Sequence, residues 1–225
     1  MQKFATTAPV SALLDIPAGT IRFIAAADRT AGTTVEVLPA NAAKSNDVKA
    51  AEQVTVAYAD GVLRIEAAEP KSRILGNSGS VEVTVHLPAG SRVEAKTAAA
   101  DFHGVGRLGD VTVDSAQGTL NLDETASAHL TLQAGDITVG RLGGPAELRT
   151  QKGDIRITEA LGGTVVLRTE SGHLEIGAAH GVSATLDAGA THGRVTNTLR
   201  NSEGSAAGLN IHATTAYGDI TARSL

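Results

Sequence analysis

Three sets of residues in this chain have types and spacings that invite chemistry. The stretch "GVGRLG", Gly104–Gly109, reads as G-x-G-x-x-G, the turn that holds a dinucleotide pyrophosphate against a helix N-terminus. Asp136, Asp154 and Asp219 each follow a glycine, and Asp101 stands at the equivalent place earlier; carboxylates recurring at one corner are a way to hold calcium. Seven histidines, His86, His103, His129, His173, His180, His192 and His212, are the residue type most used for transition metals and proton transfer.

Context removes each reading. "VGRLG" occurs again at Val139–Gly143, whereas a dinucleotide fingerprint occurs once, between a strand and a helix. Gly109 leads into "DVTVDSAQGTLNLD", alternating apolar and polar, which is strand. The aspartate column also contains Thr119, His173 and Arg194, and calcium-binding β-rolls use the denser G-G-x-G-x-D spacing. Aspartate after a turn glycine is expected to bond nearby backbone instead. No histidine belongs to H-E-x-x-H; His180 takes the place of Leu142 and Leu161 and is expected partly to fill a corner. "GNSGS", Gly76–Ser80, is read as a loop beside a strand, not a nucleophile elbow. No catalytic, cofactor-binding or metal-binding residue is assigned, and the chain is expected not to be an enzyme. A polysaccharide-cleaving β-helix, the least favoured reading, needs clustered acids and aromatic sugar platforms, and the aromatics are only Phe4, Phe23, Phe102, Tyr58 and Tyr217.

Composition sets further bounds. A net charge of −5 argues against nucleic acid, which needs a basic face. Cysteine is absent, so disulfides and thiolate chemistry are excluded. No apolar run approaches the roughly 20 residues of a membrane span, and the first residues lack the apolar stretch of a signal peptide. A cytoplasmic location is expected, with the cell surface as the alternative.

The elements around these residues repeat. Gly143, Gly162 and Gly181 are 19 residues apart, as are Leu148, Leu167 and Leu186. A turn glycine and an alternating strand recur as "TLNL", "DITV", "DIRI", "HLEI", "RVTN" and "DITA". A period of about 18 residues marks a solenoid, one coil per repeat. Each coil holds two strands, in the clearest case "AELRT" (Ala146–Thr150) and "DIRIT" (Asp154–Thr158). Alternation gives two sets of inward columns: Val113, Leu130, Leu148, Leu167, Leu186, Ile211; and Leu120/Leu122, Ile137/Val139, Ile155/Ile157, Leu174/Ile176, Val195, Ile220. Outward residues such as Arg149, Arg156, Arg168, Glu170 and Glu175 mix signs, as a solvated face does. Leu186 to Gly193 is seven residues where the other coils have five, and "NTLRNSEGSAAG" at 197–208 is a long polar insertion, read as a projecting loop. Its Asn197, Arg200, Asn201 and Glu203 are the expected interaction residues.

The first 90 residues are read as strands "TIRF", "TTVEVLP", "VTVAYA", "VLRIEA" and "SVEVTVHL", a hairpin turn at Ala59–Gly61, and a short helix "SNDVKAAEQ" (Ser45–Gln53) capped by Ser45 or Asp47. The expected architecture is a single all-β domain over 1–225, a single-stranded, β-helix-like β-solenoid of about seven coils in 91–225, with an N-terminal β cap in 1–90.

The paired "IPAG" and "LPAG" strands, the "YADGVLRIEA" hairpin and the recurring "GDI" coils resemble the bacterial β-strand-repeat domain of unknown function that carries the label "putative adhesin". "GDIRITEA" and "HATTAYGDITARSL" are similar to its actinomycete members in particular. The resemblance covers about residues 10–225 and implies a β-solenoid without catalytic residues. The leading functional expectation is a non-enzymatic scaffold for an unidentified protein partner, with self-association through the solenoid ends; the alternative is an exported adhesin that binds envelope or glycan.

Overall fold

The structure, a computed structural model, describes residues 1–6, 8–26, 32–68 and 79–225. The chain is all-β and solenoid-like, with one α-helix, of nine residues, among the described residues. It divides into two compact units, Met1–Ala116 and Gln117–Leu225.

The first unit contains β1 (Gln2–Phe4), β2 (Ser11–Asp15), β3 (Ala18–Ala26), β4 (Thr33–Pro39), α1 (Ser45–Gln53), β5 (Thr55–Ala59), β6 (Val62–Glu66), β7 (Val81–Pro88) and β8 (Arg92–Gln117). β2 pairs in parallel with β6 on one side and with the start of β8 on the other. β3 does the same between β7 and the next part of β8. The first coil of the chain therefore lies between the second and the third. Antiparallel strands flank this stack: β5 on β6, β4 on β7 and β1 on β4. The β5–β6 turn is Asp60 and Gly61, both at positive φ (51° and 78°), the pair a two-residue hairpin requires. Phe23 and Phe102, fully buried with ring centroids 5.5 Å apart, anchor the interior.

One expectation for this unit changes, the helix cap. The helix spans the residues expected, but Lys44 is its N-cap and makes no side-chain cap bond. Asp47 lies inside the first turn, buried, where it accepts the Ser80 N–H at 3.0 Å. "GVGRLG" lies within β8. Gly106 is at φ +76°, and a Cβ there would stand 2.7 Å from the Ala25 carbonyl oxygen, so close backbone approach selects this glycine. Gly76, Asn77 and Ser78 of "GNSGS" lie outside the described residues.

The second unit contains β9 (Leu120–Ala134), β10 (Ile137–Leu142), β11 (Ala146–Lys152), β12 (Ile155–Ala160), β13 (Gly163–Ser171), β14 (Leu174–Ala178), β15 (Ala184–His192), β16 (Val195–Thr198), a 3-10 turn (Gly204–Ala206), β17 (Leu209–Tyr217) and β18 (Ile220–Ser224). All its pairings are parallel. One arm runs β9, β10, β12, β14, β18, β16; the other runs β9, β11, β13, β17, β15. The apolar columns form as the alternation requires: Leu120, Ile137, Ile155, Leu174 and Ile220 stack in register and are each no more than 1% exposed. Burying each such side chain contributes roughly 1.5–3 kcal/mol.

The order of the last two coils is the main departure from the sequence reading. β17 sits between β13 and β15, and β18 between β14 and β16. Leu186 pairs with Ile211 and Ile211 with Val165, so the column Leu130–Leu148–Leu167 continues through Ala213 and Ala188. Val195 ends its column, 43% exposed, beyond Ile220. The physical reason is composition. Leu209, Ile211, Ala213, Ile220 and Ala222 are all buried, whereas β16 offers Val-Thr-Asn-Thr and is exposed throughout. The apolar coil takes the two-sided position and the polar coil takes the edge. The connection 179–183 before β15 has five residues where 161–162 has two, enough to step past one further coil at about 4.8 Å.

This order predicts a ranking. Ile220→Ala is expected to cost about 2–5 kcal/mol, like Ile155→Ala, and Val195→Ala less than about 1 kcal/mol. Urea denaturation reads it, and a larger loss for Val195→Ala than for Ile220→Ala contradicts the strand order.

Candidate functional site

Four of the residues that invited chemistry, Asp136, Asp154, His173 and Asp219, share one corner of the second unit, where each coil turns from its second arm to its first. In the clearest coil β11 ends at Lys152, Gly153 and Asp154 turn the chain, and β12 begins at Ile155. Gly153 is at φ +147°, and a Cβ there would collide with the carbonyl of Gly135 in the preceding coil. The Gly153 N–H in turn donates to the Ser171 carbonyl of the following coil at 2.9 Å. Thr150, buried just before the corner, donates its hydroxyl to the Gly135 carbonyl at 3.1 Å. Thr169 and Thr215 repeat this bond to Gly153 and Gly172.

The aspartates form a second ladder beside the glycines. Asp136 Oδ1 accepts the Asp154 N–H at 2.8 Å, and Asp154 Oδ1 accepts the His173 N–H at 2.7 Å. His173 Nδ1 accepts the Asp219 N–H at 3.0 Å, and Asp219 Oδ1 accepts the Arg194 N–H at 2.8 Å. Each side chain thus satisfies a backbone donor of the next coil in space. The expected aspartate–backbone bond is present, but it crosses between coils rather than closing its own turn. His173 belongs here because the neutral ring tautomer that leaves Nδ1 free is an acceptor, and it separates the carboxylates of Asp154 and Asp219. The Arg194 side chain has no acceptor and ends the ladder at the outer coil. Asp101 is no part of it; it lies in β8 opposite Thr20.

These corners and the coils that carry them lie within the span of a known family. The family model Toastrack DUF4097 matches residues 20–224. The chain belongs to this family. Three solved structures are similar to it. A "putative cell adhesion protein" from Clostridium sporogenes has 11% identity and a TM-score of 0.42, covering 100% of this chain and 97% of that one. A "putative adhesin" from Bacteroides fragilis has 14% identity and a TM-score of 0.45, covering 98% and 94%. A "putative adhesin" from Parabacteroides distasonis has 15% identity and a TM-score of 0.44, covering 100% and 95%. No curated protein matches the chain. The expectation of an actinomycete source draws no support from these organisms.

The histidines of this Toastrack chain occupy separate places. His129 faces Glu147 at 3.3 Å, His212 faces Asp187 at 3.3 Å, and His192 stacks on Tyr217 with centroids 4.8 Å apart. His180 is exposed and fills no corner; Ala160 and Ala178 continue the Leu142 column. Among the described residues no three His, Cys, Asp or Glu side chains group to hold a metal ion. On the outward face, Glu175 bridges Arg156 at 3.3 Å and Arg223 at 3.1 Å, and Arg149 pairs with Glu147.

Three of the four residues of the expected interaction segment, Arg200, Asn201 and Glu203, meet the start of β15. Asn197 is in β16, and its Oδ1 accepts the Leu199 N–H at 3.0 Å. Arg200 donates its N–H to Ser224 Oγ at 2.9 Å and accepts the Ala184 N–H at 3.0 Å. The buried Ser183 hydroxyl donates to Asn201 Oδ1 and accepts the Glu203 N–H, both at 3.1 Å. The segment read as a projecting loop is the return connection that carries the chain from the outer coil back to the inner one. Ser183 is the residue that sequence reasoning missed; its only signal is that it ends the long 179–183 connection.

The ladder predicts that Asp154→Ala and His173→Ala each lose about 1 kcal/mol, while His173→Asn, whose amide oxygen accepts the same N–H, retains stability. Gly153→Ala should cost more than about 2 kcal/mol, because a Cβ has no room there. Thermal unfolding of the four variants is the check; a neutral Asp154→Ala would remove the ladder as a stabilising element.

Proposed function

We propose that this Toastrack protein is a non-enzymatic scaffold, a protein-interaction module. The observation that carries the reading is the corner ladder. Asp136, Asp154, His173 and Asp219, the side chains best suited by type and spacing to metal or acid–base work, each accept a backbone N–H of the neighbouring coil. Their chemistry holds coils together. Arg141 with Glu159 and Glu175 with Arg156 and Arg223 pair opposite charges across strands, which suits a solvated face more than a charged-ligand site.

The contact surface we assign is the connection with Asn197, Arg200, Asn201 and Glu203. Its backbone is held by Ser183 and Ser224 while Arg200 and Glu203 are exposed. A rigid backbone that presents exposed polar side chains lowers the ordering cost of binding. A protein partner is expected to be captured by the wild-type chain and lost with the double variant Arg200→Ala/Glu203→Ala, whose unfolding midpoint should move by less than about 0.5 kcal/mol. Fractionation of source cells accompanies this capture. Recovery in the cytosol with a partner supports the intracellular scaffold; recovery on the surface or in the medium, with binding to glycan instead of protein, replaces it with an exported adhesin.

A further inference from the structure

We infer that residues 209–225 form an exchangeable coil, and that the slot between β13/β14 and β15/β16 accepts this segment from a second copy of the chain. The slot has two walls, both supplied by residues 163–198, and its filler comes later in the sequence. Only the connection 199–208 joins filler to walls. Fully extended, ten residues reach about 33 Å, far enough to place the coil in a neighbouring molecule.

The filler matches the slot on both sides. On the β13/β14 side Thr215 donates to the Gly172 carbonyl, the Asp219 N–H meets His173 Nδ1, and Gly218 stands where a Cβ would collide with Gly172. On the β15/β16 side His212 faces Asp187, Tyr217 stacks on His192, and Thr185 bonds Asn210. Leu209, Ile211, Ala213, Ile220 and Ala222 are buried between the walls, so a displaced filler exposes an apolar strip that only an equivalent slot covers. A second copy offers that slot with every contact unchanged. Reciprocal exchange closes a two-fold dimer in which the new interface equals the old intramolecular one. Exchange breaks the connection's own contacts: Arg200 N–H to Ser224 Oγ, Ala184 N–H to the Arg200 carbonyl, and the bonds of the buried Ser183 hydroxyl to Asn201 and Glu203.

Asp187 and His212 are directly paired on adjacent parallel strands, a separation a disulfide tolerates, and the chain has no cysteine of its own. Full-length Asp187→Cys and His212→Cys chains carrying different tags are unfolded together, refolded at increasing concentration and oxidised. The expected result is a covalent dimer joining the two tags, its share rising severalfold over a tenfold rise in concentration. In the double variant Asp187→Cys/His212→Cys, dilute protein closes the bond within one chain. Absence of the mixed covalent dimer at every concentration, while the double variant closes internally, overturns exchange. A dimer joined only between two Asp187→Cys chains also overturns it, since that bond reports edge-to-edge contact of β15. Failure of the double variant to close overturns the strand order on which the inference rests.

Discussion

At the corner of each coil in the second unit, a glycine carbonyl occupies the place where the Cβ of the next coil's corner residue would stand. That exclusion fixes which residue can turn the chain and how closely two coils approach. Once Gly135, Gly153, Gly172 and Gly218 are in line, the strands on both sides are in register. The apolar columns then arise from alternation alone, because every inward residue is an integral number of steps from a corner. The threonine and aspartate bonds are consequences of the same approach. A hydroxyl at 150 or a carboxylate at 154 finds a neighbouring backbone group within 3.1 Å only because the corners are in contact.

The same constraint works against catalytic geometry along the corners of the second unit. A site for general acid–base chemistry needs titratable groups that converge on a shared point and whose environments set them apart. A stack of near-identical coils does the opposite. It spaces equivalent side chains along a line, and here each one meets backbone. His173 and Arg194 interrupt the carboxylate run, which limits like-charge repulsion along the line. Function is therefore sought where periodicity fails, at the connections and the outermost coil, because those residues alone differ from their neighbours in surroundings.

The periodic part of the fold was legible in the sequence. Gly153 and Gly172 with their alternating strands located β11 to β14, and Ser45–Gln53 located the helix. The hairpin at Asp60 and Gly61 was readable because few other residue pairs accept positive φ at both positions. Coil order was not legible, because periodicity reports what a coil looks like and not which coil it touches. The residues that carry the missing information are few: the long connection through Ser183, the seven-residue step from Leu186 to Gly193, and the polar run of β16. Lys44 as a cap without a side-chain bond was illegible for a different reason. Asp47 looked like a capping residue, and a tertiary contact to Ser80 claimed its carboxylate.

Both units bury one coil between two others out of chain order, β2/β3 in the first and β17/β18 in the second. A coil on the outside of a stack is paired on one side only and frays more readily, since stability in a stack comes from neighbours. Two-sided pairing gives these coils the full set of ladders and leaves the edge to a neighbouring coil. In the second unit that edge is β15/β16, with Thr196, Asn197 and Thr198 exposed and Asp187 and Arg194 adding charge. Polar and charged side chains on an edge weaken its pairing with a foreign strand. The composition of the outer coil and the out-of-order insertion are thus one solution to one problem: in the second unit the polar coil, which recruits a further strand less readily than the apolar β17/β18, takes the outer position.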